Sequence, residues 1–160
     1  MIDFGLRADL AEEAMGLGWE KCGVVSGTGE IRKGVIDGKD YRVCYPGGPE
    51  KARKNSADIL ALDFRDLVFD LVIAKANKYV EFDLNSMIWA DSRFRALHNF
   101  QKALQIARKQ KNKILISTRA EDRYMLRSPR DAESFLRTLG MKQEEISAVG
   151  KSGKGLLEAL

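Results

Sequence analysis

Four carboxylates stand where a metal ion could be held. Asp3, Asp63, Glu81 and Asp83 fall at or near the C-terminal ends of strand-like segments. In parallel β/α folds that rim collects active-site groups. Glu81 and Asp83 are two residues apart and so face the same side of a strand. Together the four could offer oxygen ligands to Mg²⁺, which would make a stand-alone metal-dependent phosphoesterase the second functional reading. The plainer reading is that strand-end acids cap the helices that follow or pair with Lys and Arg. His98 is the single histidine, which excludes multi-histidine metal hydrolases. It sits beside the inward stripe of a long helix, with Phe94 and Gln101 as neighbours, and reads as a surface or edge residue. No Ser, Cys or Asp motif is placed to make it a general base. Cys22 and Cys44 lie far apart with no C-x-x-C spacing and read as buried thiols of a reducing compartment. Ser26-Gly27-Thr28-Gly29 follows a strand but precedes another strand-like run. It therefore reads as a hairpin or loop, not a phosphate cradle. No residue is assigned a catalytic or a metal-binding role.

The strongest chemical signal is basic. Residues 1–90 carry 12 Lys/Arg against 15 Asp/Glu, a net of −3, whereas residues 91–160 carry 15 against 8, a net of +7. Arg119, Arg123, Arg127 and Arg130 fall between a strand and a well-capped helix. Lys151 and Lys154 flank Gly150, Gly153 and Gly155 in what reads as a flexible basic segment. A guanidinium grips phosphate bidentately, and backbone N–H groups at a helix start add to it. Tyr124 offers a stacking surface. The alternative is a solvated face locally paired with Glu121, Asp122 and Asp131. Such polarity of charge suggests that one side of the molecule meets a polyanion, with RNA as the class.

The elements that must position these residues alternate between short apolar runs and amphipathic stretches, the pattern of an α/β domain with parallel strands. Strands are expected at Met1–Phe4, Cys22–Val25, Ile31–Ile36, Tyr41–Tyr45, Asp58–Leu62, Tyr79–Phe82 and Lys113–Ser117. Asp37-Gly38 signals a tight turn that leaves no room for a helix. Helices are expected at Asp9–Leu17, Glu50–Asn55, Leu67–Asn77 and Ser92–Gln110. The last is capped by Asp91, with Leu97, Phe100, Leu104 and Ala107 inward. Ser128-Pro129-Arg130-Asp131 carries a capping box with Pro at the first helical position, followed by Ala132, Phe135, Leu136 and Leu139, and Gly140 as the stop. Two short helices, Met141–Ala148 and Ser152–Leu160, close the chain. Seven strands, five or six of them parallel, fit a barrel-like β/α arrangement. With 160 residues it is shorter than a full eight-fold barrel; an open doubly wound sheet is the alternative. Length and an apolar fraction of 44% suit one domain, 1–160. No run approaches the length of a membrane span and no signal peptide is visible, so a soluble, cytoplasmic protein is expected.

The stretch from Ile116 to Met141 resembles the C-terminal signature of archaeal ribonuclease P protein component 3. Ser117 to Ala120 matches its strand ending in Ser-x-x-Ala, and Leu126 to Arg130 its Leu-Arg-Ser-Pro-Arg. Leu139 to Met141 matches its Leu-Gly-Met. Upstream, Ala57–Leu62, the run Ala76–Phe82 and the helix Arg93 to Arg108 are similar to the family's corresponding strands and long helix. Arg119 stands where the family is expected to hold a small residue, and the first forty-five residues are compressed. The resemblance implies a shortened TIM-barrel-like fold of the polymerase-and-histidinol-phosphatase-like kind, without the histidine set of those phosphoesterases. It implies a noncatalytic subunit of ribonuclease P, the RNA-based endonuclease that removes the 5′ leader of precursor tRNA. Expected partners are the ribonuclease P RNA, protein component 2 and other subunits, and precursor tRNA through the complex. Mg²⁺ would be required by the RNA rather than bound by the protein. On this reading Arg119, Arg123, Arg127, Arg130, Lys151 and Lys154 contact RNA.

Overall fold

In a computed structural model, the structure describes residues 1–26, 30–45, 57–65 and 79–160. Seven strands form one sheet in chain order: β1 (Ile2–Leu6), β2 (Lys21–Ser26), β3 (Ile31–Ile36), β4 (Lys39–Cys44), β5 (Ile59–Leu62), β6 (Tyr79–Asp83) and β7 (Lys113–Ser117). Pairing is parallel throughout except on the two edges of β3. Six strands therefore run one way and β3 runs against them. The reversal is made by Asp37 and Gly38, at φ 51° and 74°. Positive φ at both central residues gives the turn twist that matches a right-twisted hairpin. No helix separates β3 from β4, as the short spacing predicts.

The two end strands meet. The Asp3 carboxylate on β1 accepts hydrogen bonds from Ser117 Oγ (3.0 Å), Thr118 N (3.1 Å) and Thr118 Oγ1 (2.6 Å) at the end of β7. Gly5 lets the strands approach: a Cβ there would lie 2.2 Å from Ser117 Oγ. The sheet thus curls into a nearly closed, TIM-barrel-like α/β fold with seven strands.

Strand alternation divides the core. Ile2, Phe4, Val43, Ile59, Ala61, Tyr79 and Leu115 fill the barrel interior, while Leu60, Leu62, Val80, Phe82 and Ile116 pack outward against helices. Phe64, Phe82 and Phe100 form an edge-on triad in the outer layer, with centroids 5.3–5.4 Å apart. The inward parity of β6 continues from Tyr79 through Glu81 to Asp83, and this places two carboxylates at the upper end of an otherwise apolar barrel.

A 3-10 turn (Ala8–Leu10) leads into α1 (Ala11–Gly16), where a single helix from Asp9 to Leu17 is expected. A short α2 (Leu84–Ile88) follows β6 directly, capped by Asp83. The long helix α3 (Arg93–Gln110) starts from Ser92, whose hydroxyl accepts from Arg95 N, and not from Asp91. Its buried face is Ala96, Phe100, Ala103, Leu104 and Ala107. Leu97 is exposed, because three alanines flank Phe100 and let that narrower face close on the sheet. In α4 (Pro129–Thr138) the capping box forms as expected, Ser128 accepting from Asp131 N and Asp131 accepting from Ser128 N.

The two expected closing helices are one, α5 (Gln143–Ala159). Each interior glycine costs about 1 kcal/mol of helix propensity, which is why the sequence reads as broken there. Gly153 offsets that cost by contact: a Cβ there would already touch Ile2 and Phe4 at 3.4 Å. Leu156, a turn further on, enters the interior cluster. The expected helices at Glu50–Asn55 and Leu67–Asn77, and the loop stretches 27–29 and 46–49, lie outside the described residues.

Candidate nucleic-acid interface

Between β7 and α4 the chain is held by its own polar groups. Asp122 accepts from Tyr124 N (2.8 Å) and Met125 N (3.1 Å), which fixes a 3-10 turn at Arg123–Met125. Arg127 Nη1 donates to the carbonyls of Tyr124 (2.8 Å) and Leu126 (2.7 Å). Its own carbonyl accepts from Trp19 Nε1 at 2.7 Å. Arg123 lies over the ring of Tyr124, 5.0 Å from its centroid, and donates to its hydroxyl. Arg130 is exposed in the first turn of α4. Tyr124 is 71% exposed, so the segment presents an aromatic face between cations.

Lys151 and Lys154 lie on α5, not on a flexible segment, and both are exposed. Lys154 pairs with Glu20 at 3.2 Å, and Glu20 also takes the N-terminal amine at 2.8 Å. These cations hold the Glu20 carboxyl below its ordinary value. Trp19 binds the arginine segment and Glu20 binds α5. Two consecutive residues thus tie the arginine segment and α5 to the same stretch of chain. Arg123 and Arg130 flank Arg127 in sequence, and Lys151 is one helical turn from Lys154.

Arg119 is elsewhere. Its backbone is left-handed (φ 45°), and its side chain turns over the upper end of the barrel. Nη1 meets Asp83 Oδ2 at 3.3 Å with the two side chains 19% and 5% exposed. Its guanidinium also lies 4.2 Å from the centroid of Tyr45, on which Arg32 stacks at 4.4 Å. Burial works against the Arg119 charge, but Asp83, Glu81 and Asp63 hold it protonated.

The rim carboxylates are committed to the fold. Asp63 is paired with Arg65. Asp83 caps α2 and meets Arg119. Asp3 is fully satisfied by Gly5, Ser117 and Thr118. Burial raises its pKa against those hydrogen bonds. Glu81 is the exception: it is fully buried, and neither oxygen has a hydrogen-bond partner. The hydroxyl proton of Ser117 goes to Asp3. Burial, opposed by Arg119, pushes the Glu81 carboxyl up to about 8 and that of Asp83 to about 7. A neutral carboxyl is the cheaper form in such a place. Among the described residues no group of three His, Cys, Asp or Glu side chains is arranged to hold a metal ion. His98 is exposed on α3; Cys22 and Cys44 are free thiols, and burial pushes that of Cys22 up to about 12.

A family model described as RNase P subunit p30 matches residues 52–153. The chain belongs to the RNase P subunit p30 family. The matched stretch contains the Leu126–Arg130 signature and ends just after Lys151, so most of the basic set lies inside the p30 region. The chain is also similar to a chain in a cryo-EM structure of archaeal ribonuclease P with mature tRNA. TM-score is 0.58 and identity 24%, covering 68% of this chain and 51% of that one. This p30-family chain therefore spans about half the length of the solved chain that it matches. No curated protein matches it.

Sequence reading missed Arg32 and Tyr45, which meet Arg119 only because β3, β4 and the turn after β7 converge at the mouth. Tyr45 read as the end of one strand and Arg32 as part of another, and no local spacing joins either of them to Arg119.

Proposed function

We propose that the chain is a noncatalytic protein subunit of ribonuclease P that supports the catalytic RNA in removing the 5′ leader of precursor tRNA. The observation that carries this is the coincidence of the p30 match with an exposed basic face, in a barrel whose rim acids Asp63 and Asp83 are already spent on pairing and capping. Its Lys and Arg neutralise phosphates, so that folded RNA packs closely and retains the Mg²⁺ that it uses for chemistry. The partners are the ribonuclease P RNA, protein component 2 and, through the complex, precursor tRNA, in the cytoplasm. Among the described residues no helix is long and apolar enough to cross a membrane.

Reconstitution tests this. With Arg123, Arg127 and Arg130 changed together to Ala, cleavage of precursor tRNA falls at moderate salt and recovers at low salt. The slope of log affinity against log salt flattens by about 2–3, one phosphate contact per arginine. Unchanged cleavage and salt dependence would remove this face from the RNA interface. Stability serves as the control: Arg123 and Arg130 are exposed, where substitutions stay within about 0.5 kcal/mol, and the Arg123, Arg130 double variant separates lost charge from the loss of the Arg127 hydrogen bonds.

A further inference from the structure

The mouth of the barrel holds a cavity of about 250 Å³ beneath which Arg119 is anchored. Arg7, Arg32, Arg119, Ser26 and Tyr45 are among the described residues that line it, with Glu121 as the one acid against three arginines. Three guanidinium groups thus reach one concavity from three separate segments: the end of β1, the start of β3 and the turn after β7.

We infer that this cavity binds the phosphate of an unpaired RNA nucleotide. Arginine is the residue that grips a phosphate through two parallel N–H···O bonds, and its plane stacks on aromatic rings and bases. Arg32 and Arg119 are already laid on Tyr45, at 4.4 and 4.2 Å. Arg119 is braced from below by Asp83. Arg7 is fixed by Asp9 through Nε (3.2 Å) and Nη2 (3.1 Å), and by the carbonyl of Glu121 through Nη1 (3.0 Å). These groups are therefore ordered before a ligand arrives, which lowers the entropic cost of binding it. The left-handed backbone at Arg119 points the same way. A non-glycine residue there costs about 1–2 kcal/mol, and such strain persists at sites that hold a side chain for a purpose. The cavity has room for a phosphate and its sugar, and an unpaired nucleotide can lay its base on the arginine–tyrosine stack, whereas a paired helix keeps its bases inside its own stack. An RNA strand must leave the stack to reach it.

The source of the nucleotide rests on the ribonuclease P reading; the chemistry of the cavity does not. The test uses the isolated full chain at fixed low ionic strength. Fluorescence anisotropy compares a short single-stranded oligoribonucleotide with a duplex of the same sequence. A nucleoside 5′-monophosphate and inorganic phosphate are the competitors. The single strand is expected to bind more tightly than the duplex, and the monophosphate to compete better than inorganic phosphate. Arg32→Gln and Arg7→Gln, both at the rim and neither in the barrel core, should each weaken the single strand about ten-fold, the loss of one charge-assisted contact. Equal affinity for single strand and duplex would overturn the proposal. So would binding indifferent to both substitutions, or inorganic phosphate competing as well as the nucleotide. Because the readout is the isolated chain, such a failure leaves the ribonuclease P reading to its own test at Arg123, Arg127 and Arg130.

Discussion

The barrel mouth and the face built by the 123–130 segment and α5 are both rich in arginine, yet arginine does opposite work in them. At the mouth Arg119 is mostly buried and faces Asp83, Glu81 and Asp63. Part of its charge is met by the protein. On the outer face Arg123 and Arg130 are exposed, and Arg127 donates only to carbonyls, which leaves its charge uncancelled. That charge is available to something outside. The difference teaches that counting basic residues in a sequence locates a polyanion surface only after burial has sorted them. A guanidinium over buried carboxylates is an internal counterion first, and meets a ligand only by what it leaves uncovered.

The largest effect that separates the two regions is expected at Arg119. Arg119→Ala removes the one cation among the buried acids and leaves Asp83 without its partner. Breaking a buried pair by deleting one member costs roughly 3–5 kcal/mol. Urea unfolding at pH 8.5, where Asp83 is ionised in the parent, should show that loss, while Arg130→Ala on the outer face should leave the midpoint in place. If both variants unfolded alike, the mouth would not be an internal ion pair and the contrast between the regions would collapse.

Glu81 sharpens the same contrast through pH. Its carboxyl has an ordinary value of 4.5, and in the fold it is raised to about 8. Asp83 is likewise raised, from 3.8 to about 7. The folded state therefore holds protons that the unfolded chain has already released. The contribution of these groups is fully present below about pH 4 and is lost as pH rises towards 8. Thermal unfolding measured from pH 5 to pH 8.5 should show Tm falling with pH. Glu81→Gln keeps the shape, stays neutral and should flatten that fall, with the variant more stable than the parent at pH 8. An unchanged slope would mean that Glu81 is not the proton-holding group. No such pH trend is expected from substitutions at Arg123 or Arg130.

How far these regions were legible in the sequence follows from the range of the forces that build them. The hairpin at Asp37-Gly38 and the capping box at Ser128 and Asp131 are set within four residues, and each was readable. The seven strands follow from alternation and were readable to within a few residues of their ends. That Glu81 and Asp83 share one side of a strand was also plain, since it needs only their spacing of two; that this side is the barrel interior was not. What escaped depends on contacts distant in sequence. α5 runs unbroken through three glycines because Gly153 packs on Ile2 and Phe4 from the other end of the chain. Ser92 rather than Asp91 begins α3, and Leu97 turns to solvent, because the sheet selects the alanine face. The direction of Arg119 depends on a positive φ at a residue that seldom adopts one, and on Tyr45 and Asp83, which lie 74 and 36 positions away. No local pattern records those distances.

The smallest effect tests whether the outer face is held in shape or merely charged. Ser128 ends the arginine segment and starts α4. Its hydroxyl accepts from Asp131 N at 3.1 Å, and the Asp131 carboxylate takes the backbone N–H of Ser128 at 3.3 Å and its hydroxyl at 2.8 Å. Replacing a capping serine by alanine costs about 1 kcal/mol of stability. Ser128→Ala should therefore lower Tm by roughly 2–4 °C in a chain of this size. Its second consequence is geometric. Arg127 and Arg130 sit on either side of the cap, so a frayed first turn lets their guanidinium groups move apart without altering their charge. RNA affinity should then drop several-fold with the salt slope unchanged, because the number of available phosphate contacts is the same and only their ordering is lost. Ser128→Asp retains a capping acceptor and should restore both Tm and affinity, less the repulsion that it adds beside Asp131. A variant that loses Tm but keeps full RNA affinity would show that the face works by charge alone, and that the capped geometry serves α4 and not the RNA.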